Sequence, residues 1–243
     1  MLKSLVNFIF IKNLSGKELT DEKIRDFKRL VISQSGIIAS IFLLDLFTFM
    51  DFPWHVEIAE SIFFLALGAY VFLLWDMMRN YTTSKKIILI NFIFIMGVFL
   101  FGFVAVNPFL PMPLTVPYRI LLAVIQVCLL AVECTVIYYT LLEFFKKELG
   151  MPIRLWGAAC IYLMIGLAFG SAYEILCVLE INCLGDIPLR TMGLMKRIEF
   201  SLMVLSGMES PFIAANMIYS MGTVEALWGQ VFIVLIVGRL LSK

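Results

Sequence analysis

Six long apolar runs constrain this chain more than any other feature of its sequence. A helix needs about 20 consecutive apolar residues to cross a bilayer. The runs cover, approximately, residues 31–50, 58–75, 87–106, 116–142, 153–178 and 211–241 of the 243. With 62% apolar and 15% charged residues, the chain has little sequence left for a separate soluble domain. We therefore predict an all-α membrane protein with six transmembrane helices.

The positions of the basic residues predict the orientation of these helices. With the N-terminus inside and six crossings, the cytoplasmic pieces hold 15 of the 19 Lys and Arg residues, and the outer pieces hold only Arg119, Arg190, Lys196 and Arg197. Cytoplasmic loops retain Lys and Arg, and a count of five or seven spans would destroy this segregation. We predict a multi-pass protein of the plasma (inner) membrane with both termini in the cytoplasm.

The apolar runs and the charged segments between them divide the chain into three regions. Residues 1–30 are predicted to be a cytoplasmic N-terminal leader, in which acidic and basic residues alternate over 21–29 as in a solvated helix. Residues 31–150 hold four of the predicted spans, and residues 151–243 hold the other two. Between these last two, residues 196–206 are semi-apolar, long enough for a short helix but too short to cross.

This short segment bears most directly on function. Membranes tolerate a non-spanning helix only where protein or a water-filled cavity surrounds it, so we predict a re-entrant pore helix at residues 196–206. Gly207 follows the segment, and Pro211 can begin the next helix, where a missing N–H does no harm. The alternative is an extracellular loop that lies on the protein surface.

From residue 153 to the C-terminus, the chain resembles the two-helix pore module of bacterial potassium-channel-like proteins, in the tetrameric cation channel superfamily. The residues that carry this likeness are Tyr162-Leu163, Tyr173, Phe200-Ser201, Glu225-Ala226, Gly229-Gln230 and Arg239-Leu240. The first four spans match such a subunit in number only. The resemblance implies a homotetramer in membrane lipid that passes monovalent cations passively.

The loop after the predicted pore helix departs from that family. A potassium filter uses the two glycines of a Thr-Val-Gly-Tyr-Gly loop to aim backbone carbonyls at the ion. This chain has Leu205-Ser-Gly-Met-Glu-Ser-Pro211, with one glycine, so potassium selectivity by carbonyl stacking cannot be carried over. The predicted pore loop consists of Ser206, Gly207, Met208, Glu209 and Ser210.

Glu209 gives this loop another route to conduction. Four copies of its carboxylate at a tetramer axis would form an acidic ring of the kind that cation channels use. The alternative is a solvated acid beside the N-terminus of the last helix, where the helix dipole favours a negative charge.

Three positions in the last run are predicted to line the pore or form its gate: Glu225, Gly229 and Gln230. Gly229 lies near the middle of the run, where it can act as a hinge or permit close helix packing. In the fifth run, Gly166 and Gly170 form a small-xxx-small pattern, which predicts a packing face.

The fourth run contains two polar side chains but no Arg or Lys between Ile120 and Leu142. A voltage sensor carries a series of arginines in this span, so voltage gating is not predicted. Gln126 and Glu133 are seven residues apart and share nearly one helical face. Glu133 is either a paired structural acid or a participant in ion or proton passage, and Asp45 in the first run is a weaker candidate of the same kind.

Composition and motifs exclude several other classes of protein and of binding site. A net charge of +1 excludes a polybasic nucleic-acid binder, and the single His55 excludes a multi-histidine metal site. His55 lies near Glu57 and Glu60 at a membrane edge, where we expect a solvated helix start rather than bound metal. Without a Gly-x-Ser-x-Gly elbow or a His-Glu-x-x-His helix, we predict neither an enzyme nor a cofactor. The alternative function is a non-conducting structural or regulatory protein of the same fold.

The five cysteines fall into two groups. Cys177 and Cys183 flank the outer end of the fifth run, where an oxidising compartment could join them in a disulfide. The others lie within predicted spans and are expected in the core: Cys128, Cys134 and Cys160.

Overall fold

Seven α-helices account for nearly all of the described residues. The computed structural model describes residues 16–49, 54–82, 84–105, 115–145, 150–179, 183–185, 191–209, 212 and 216–241. The helices are α1 (Gly16–Phe49), α2 (His55–Tyr81), α3 (Lys85–Ala105), α4 (Val116–Phe144), α5 (Met151–Val178), α6 (Thr191–Leu205) and α7 (Asn216–Leu241). The prediction of an all-α fold is confirmed.

Six of these helices are long and apolar enough to cross a membrane. Their candidate spans are Glu18–Phe49, Val56–Tyr81, Lys85–Gly102, Val116–Phe144, Met151–Val178 and Asn216–Gly238. The remaining helix, α6, has 15 residues and is therefore about 22 Å long at 1.5 Å per residue. A short helix thus lies between the fifth and sixth long ones, as predicted, although it begins at Thr191 rather than at residue 196.

The first helix begins earlier than the predicted span and is less solvated than expected. Lys23 and Asp26 are buried, because each has a partner on another helix. The Nζ of Lys23 lies 2.6 Å from Oε1 of Glu143, and the side-chain amide of Asn80 donates to Asp26. The prediction of a solvated helix was wrong at these two positions. The alternation of charge gave no sign of partners so distant in sequence.

One hydrophobic core joins the first four helices to the fifth and sixth. Buried side chains of α1–α4 pack together with Met164 and Leu167 of α5 and with Leu194 and Ile198 of α6. This core crosses the predicted domain boundary at residue 150. It places α5 at the centre of the described part of the chain, in contact with α1, α4, α6 and α7.

The small residues of α5 let α6 approach closely. The hydroxyl of Ser201 donates to the backbone oxygen of Gly166 at 2.6 Å. A Cβ on Gly170 would lie only 2.7 Å from Cγ1 of Ile198. The predicted packing role of Gly166 and Gly170 is confirmed, since a larger side chain at either position would push α6 away.

Candidate functional site in the α5–α6–α7 unit

α6 runs antiparallel to α5 and ends halfway along it. From the beginning of α6 to its end, the contacts pair Arg197 with Glu174, Ser201 with Gly166, and Leu205 with Tyr162. Residue numbers rise along α6 as they fall along α5, which defines the antiparallel direction. The hydroxyl of Tyr162 donates to the backbone oxygen of Leu205 at 3.1 Å. The last residue of α6 therefore lies about 24 Å, at 1.5 Å per residue, from the Val178 end of α5.

α7 runs parallel to α6 and touches the same end of it. Ser201 contacts Glu225, and a Cβ on Gly229 would lie 2.4 Å from the backbone oxygen of Leu205. Residue numbers rise together along the two helices, so both run in one direction. Gly229 lies about 20 Å, at 1.5 Å per residue, from the start of α7 at Asn216. Its close contact favours the packing interpretation of this glycine over the hinge.

Gly207 ends α6 in a left-handed conformation. Its φ is +76°, and its N–H donates to the oxygen of Val204 at 3.0 Å, while the N–H of Met208 donates to that of Met203 at 2.9 Å. These two bonds form a Schellman motif, which satisfies carbonyls at the end of a helix and normally requires glycine. The single glycine of the predicted pore loop is thus needed to end the helix.

The predicted pore loop lies on the surface of the single chain. Ser206, Gly207, Met208 and Glu209 are exposed, and Ser210 lies outside the described residues. Met208 and Glu209 line an open cavity of about 470 Å³ between α6 and α7, together with Phe200, Val204, Gly207, Phe212, Tyr219, Gly222, Thr223 and Ala226. A Cβ on Gly207 would lie 3.3 Å from Nε2 of Gln230. The structure therefore brings the predicted loop close to the exposed Gln230 on α7.

Glu225 occupies the interior of the α5–α6–α7 unit. Its carboxyl group accepts a hydrogen bond from the hydroxyl of Tyr173 on α5, at 2.6 Å, and lies in hydrogen-bond contact with the hydroxyl oxygen of Ser201 on α6. The residue is fully buried, so it lies away from the exposed side of α7. The predicted pore-lining position of Glu225 finds no support in the contacts of a single chain, where this side chain joins three helices.

Glu133 forms a second buried junction. Its two carboxylate oxygens accept from the hydroxyl of Tyr70 on α2 at 3.0 Å and from that of Ser171 on α5 at 3.5 Å. These partners favour the paired structural acid over a group that lines a passage. Asp45, the weaker candidate, is exposed and pairs with Lys196 of α6 at 2.8 Å.

The most buried ion pair in the unit was not predicted. Arg197 on α6 is fully buried, and its Nη1 lies 2.5 Å from Oε2 of Glu174 on α5. Burial alone would lower the pKa of Arg197, but the carboxylate of Glu174 raises it above its ordinary value. The guanidinium is therefore charged at every accessible pH. A basic residue within the semi-apolar segment 196–206 was the available signal, but Arg197 was used only as one of the outer basic residues.

Glu60 holds the beginning of α6, which corrects a second expectation. It is buried, and its Oε1 accepts the backbone N–H of Met192 at 3.0 Å. The expectation of a solvated acid at the start of α2 was wrong, because the free N–H groups and dipole at a helix N-terminus attract a carboxylate. The side chain of His55 lies outside the described part of the structure.

Among the described residues, one group of carboxylates has a spacing that could suit a metal ion. Oxygen atoms of Glu22, Asp26 and Asp76 all lie within 4.8 Å of one another. Two of these acids have basic partners, however, since Arg25 pairs with Glu22 and Arg79 pairs with Asp76, both at 3.3 Å. Protein groups already offset the negative charge, and we assign no metal there.

The cysteines are all free thiols in this structure. Cys183 packs against the buried cluster that contains Cys177, without a disulfide between them. Cys160 is buried and Cys128 half-buried, but Cys134 is exposed. The prediction of a core position was therefore wrong for Cys134, because one side of α4 faces outward at this residue.

Comparison with known proteins gives no relative for this chain. No family model matches the sequence, and no match is found among curated proteins or among solved structures.

Proposed function

We propose that the chain is a subunit of a cation channel of the potassium-channel-like kind, in which α6 is a re-entrant pore helix. Several copies, four in the simplest arrangement, would surround one pore and pass monovalent cations passively. The observation that carries this proposal is the position of the end of α6. It contacts both α5 and α7 halfway along their lengths, at Tyr162 and Gly229.

The direction of the helices supports a reversal of the chain after Gly207. Because α6 and α7 are parallel, residues 206–215 must lead back about 20 Å to the start of α7. Ten extended residues span about 33 Å, so the segment is long enough. An extracellular loop lying flat on the protein would not bring Leu205 against the middle of two long helices. The contacts therefore favour re-entry over the surface loop.

The position of the α6 end, halfway along two long helices, also supports a pore that needs more than one chain. The exposed carboxylate of Glu209 and the backbone of the turn would lie near the middle of the bilayer, where exposure to lipid is costly. Water or further protein must therefore surround them. Other copies of the chain around a water-filled axis provide both, and the open cavity beside Met208 and Glu209 lies on the side that these copies would cover.

Glu209 gives the proposed pore its charge preference. A ring of carboxylates attracts cations and repels anions through ordinary electrostatics. We propose no potassium selectivity by stacked carbonyls, because Gly207 ends α6 and the loop has no second glycine. The discrimination expected from such a ring is between cations and anions rather than between potassium and sodium.

Flux through liposomes tests the proposal. The purified chain should pass K⁺ and Na⁺ but not Cl⁻, and Glu209→Gln should lower the cation flux several-fold and weaken the preference over chloride. Glu199→Gln is the matched control. It also removes one carboxylate charge, but on α6, where Glu199 pairs with Lys196. This change should leave selectivity unchanged.

Two results would overturn the channel. The first is a monomer in lipid, and the second is an oligomer that passes no cation in any form. The second result would favour a non-conducting structural or regulatory subunit of the same fold.

A further inference from the structure

Two thiols and a guanidinium meet where α5 ends, and the channel proposed above makes no use of them. Cys177 lies in the last turn of α5 and is 2% exposed, whereas Cys183 is half-buried. Cys183 packs against the buried cluster that contains Cys177. Nη2 of Arg197 donates to Sγ of Cys183 at 3.4 Å. Two cysteines packed in one cluster, at the end of a helix and in the segment that follows it, can be joined where their Cα atoms lie within about 7 Å.

We propose that Cys177 and Cys183 form a reversible disulfide and that the end of α5 is a redox modification site. The three remaining cysteines lie within the long helices α4 and α5. The inference does not depend on ion conduction, and it holds for either orientation of the chain in the membrane.

The exposure of the two thiols assigns their order of reaction. Cys183 is the accessible thiol, so its thiolate attacks one sulfur of an external disulfide, such as a small-molecule glutathione-type disulfide, and releases one thiol. Cys177 then attacks the Cys183 sulfur and releases the second thiol. Two protons pass from the cysteines to the released thiols, and two electrons reduce the external disulfide, so the step balances.

Arg197 is a positioning residue for this exchange. Its Nη2 donates to Sγ of Cys183 and so orients that sulfur. The guanidinium is held in place by Glu174 at 2.5 Å, so it is fixed against the thiol of Cys183 before any oxidant arrives. The disulfide would tie the segment that precedes α6 to the end of α5, beside the residue that anchors α6 to that helix.

Intact-mass spectrometry of the full chain tests the inference. The purified protein in lipid nanodiscs is incubated with oxidised glutathione, denatured, and alkylated to count the remaining thiols. Three of the five thiols should remain in the wild type, and all five should return after treatment with a reductant. Cys177→Ser should instead retain one glutathione on Cys183, and Cys183→Ser should retain four alkylatable thiols.

The control is Cys134→Ser, which removes another thiol that is exposed and should lose two thiols on oxidation, as the wild type does. Five thiols remaining in the wild type would overturn the proposal. Loss of two thiols in Cys183→Ser would also overturn it, since a different pair would then be reacting.

A paired substitution separates the charge of Arg197 from its structural role. Arg197→Gln alone leaves Glu174 buried without its cation, so the variant Arg197→Gln/Glu174→Gln is used. Its oxidation should be slower than that of the wild type, and Arg197→Lys, which keeps a positive charge beside Glu174, should recover most of the rate. An equal rate in the double variant and the wild type would show that Arg197 does not assist the exchange.

Discussion

α5 and α7 are both long enough to cross a membrane, yet they pack in opposite ways. In the most apolar stretch of each helix, 61% of the residues are buried in α5 but only 22% in α7. α5 contacts α1, α4, α6 and α7, whereas α7 packs mainly against α6 and α5. α5 is therefore the centre of the described unit, and α7 lies at its edge.

The side chains of the two helices follow this difference. The buried side of α5 carries Ser171, Tyr173 and Glu174, and each of them contacts an ionisable side chain on another helix. The exposed side of α7 carries large apolar residues that include Tyr219, Leu227, Trp228, Val231 and Val234. Such a surface can face lipid or another protein helix. Thus the buried side of α5 joins helices of the described chain, whereas the exposed side of α7 is available to lipid or protein.

The largest effect should come from breaking the ion pair on the buried side of α5. Arg197→Met leaves Glu174 buried without a cation, and this should lower the free energy of unfolding by about 3–5 kcal/mol. Lys196→Met is the control, because the Asp45 side chain that Lys196 contacts is 52% exposed. That change should lower the free energy of unfolding by about 1 kcal/mol or less.

Denaturant unfolding in detergent measures both changes. Equal losses for Arg197→Met and Lys196→Met would mean that burial on α5 does not set the strength of these pairs. Adding Glu174→Leu to Arg197→Met should recover most of the lost stability, since no unpaired charge then remains in the interior.

The sequence was sufficient to predict the spans and the short helix. The length of an apolar run is a local property, and six such runs became six long helices. The spacing of Gly166 and Gly170 is equally local, and these residues form the face that α6 packs against. Features of this kind need no knowledge of the partner segment.

The buried charges were not predictable in the same way. Lys23 and Glu143 are separated by 120 positions, and Glu60 and Met192 by 132. No local pattern distinguishes a lysine that pairs across the bundle from one in water. Gly207 is a different case, because a glycine after a short helix is a common helix-ending signal. It was predicted as part of the pore loop that follows the short helix.

A smaller effect should follow from a methyl group added to α7 where it meets α6. Gly229→Ala would place a Cβ 2.4 Å from the backbone oxygen of Leu205, so the two helices must separate. We expect the free energy of unfolding to fall by about 1–3 kcal/mol. Thermal unfolding of the purified variant measures the loss.

Gly238→Ala is the matched control on the same helix. No atom lies within 4 Å of the added Cβ, so stability should be unchanged or rise by up to about 1 kcal/mol through helix propensity. If the two variants unfold alike, the contact between Leu205 and Gly229 is not a close one, and α7 is attached to the unit less firmly than the structure indicates.

The smallest effect on folding should come from the exposed side of α7. Trp228 is 55% exposed, and Trp228→Ala should change the free energy of unfolding of the single chain by no more than about 0.5 kcal/mol. If α7 faces other copies in the proposed channel, the same change removes a large aromatic contact and should shift the oligomer towards monomer.

Phe42→Ala is the control, because Phe42 is an aromatic residue of α1 that is 66% exposed. This change should alter neither the free energy of unfolding nor the oligomer. Mass photometry in nanodiscs measures the distribution of copies. An unchanged distribution for Trp228→Ala would mean that this side of α7 faces lipid. The difference in burial between α5 and α7 would then reflect packing within one chain and not assembly.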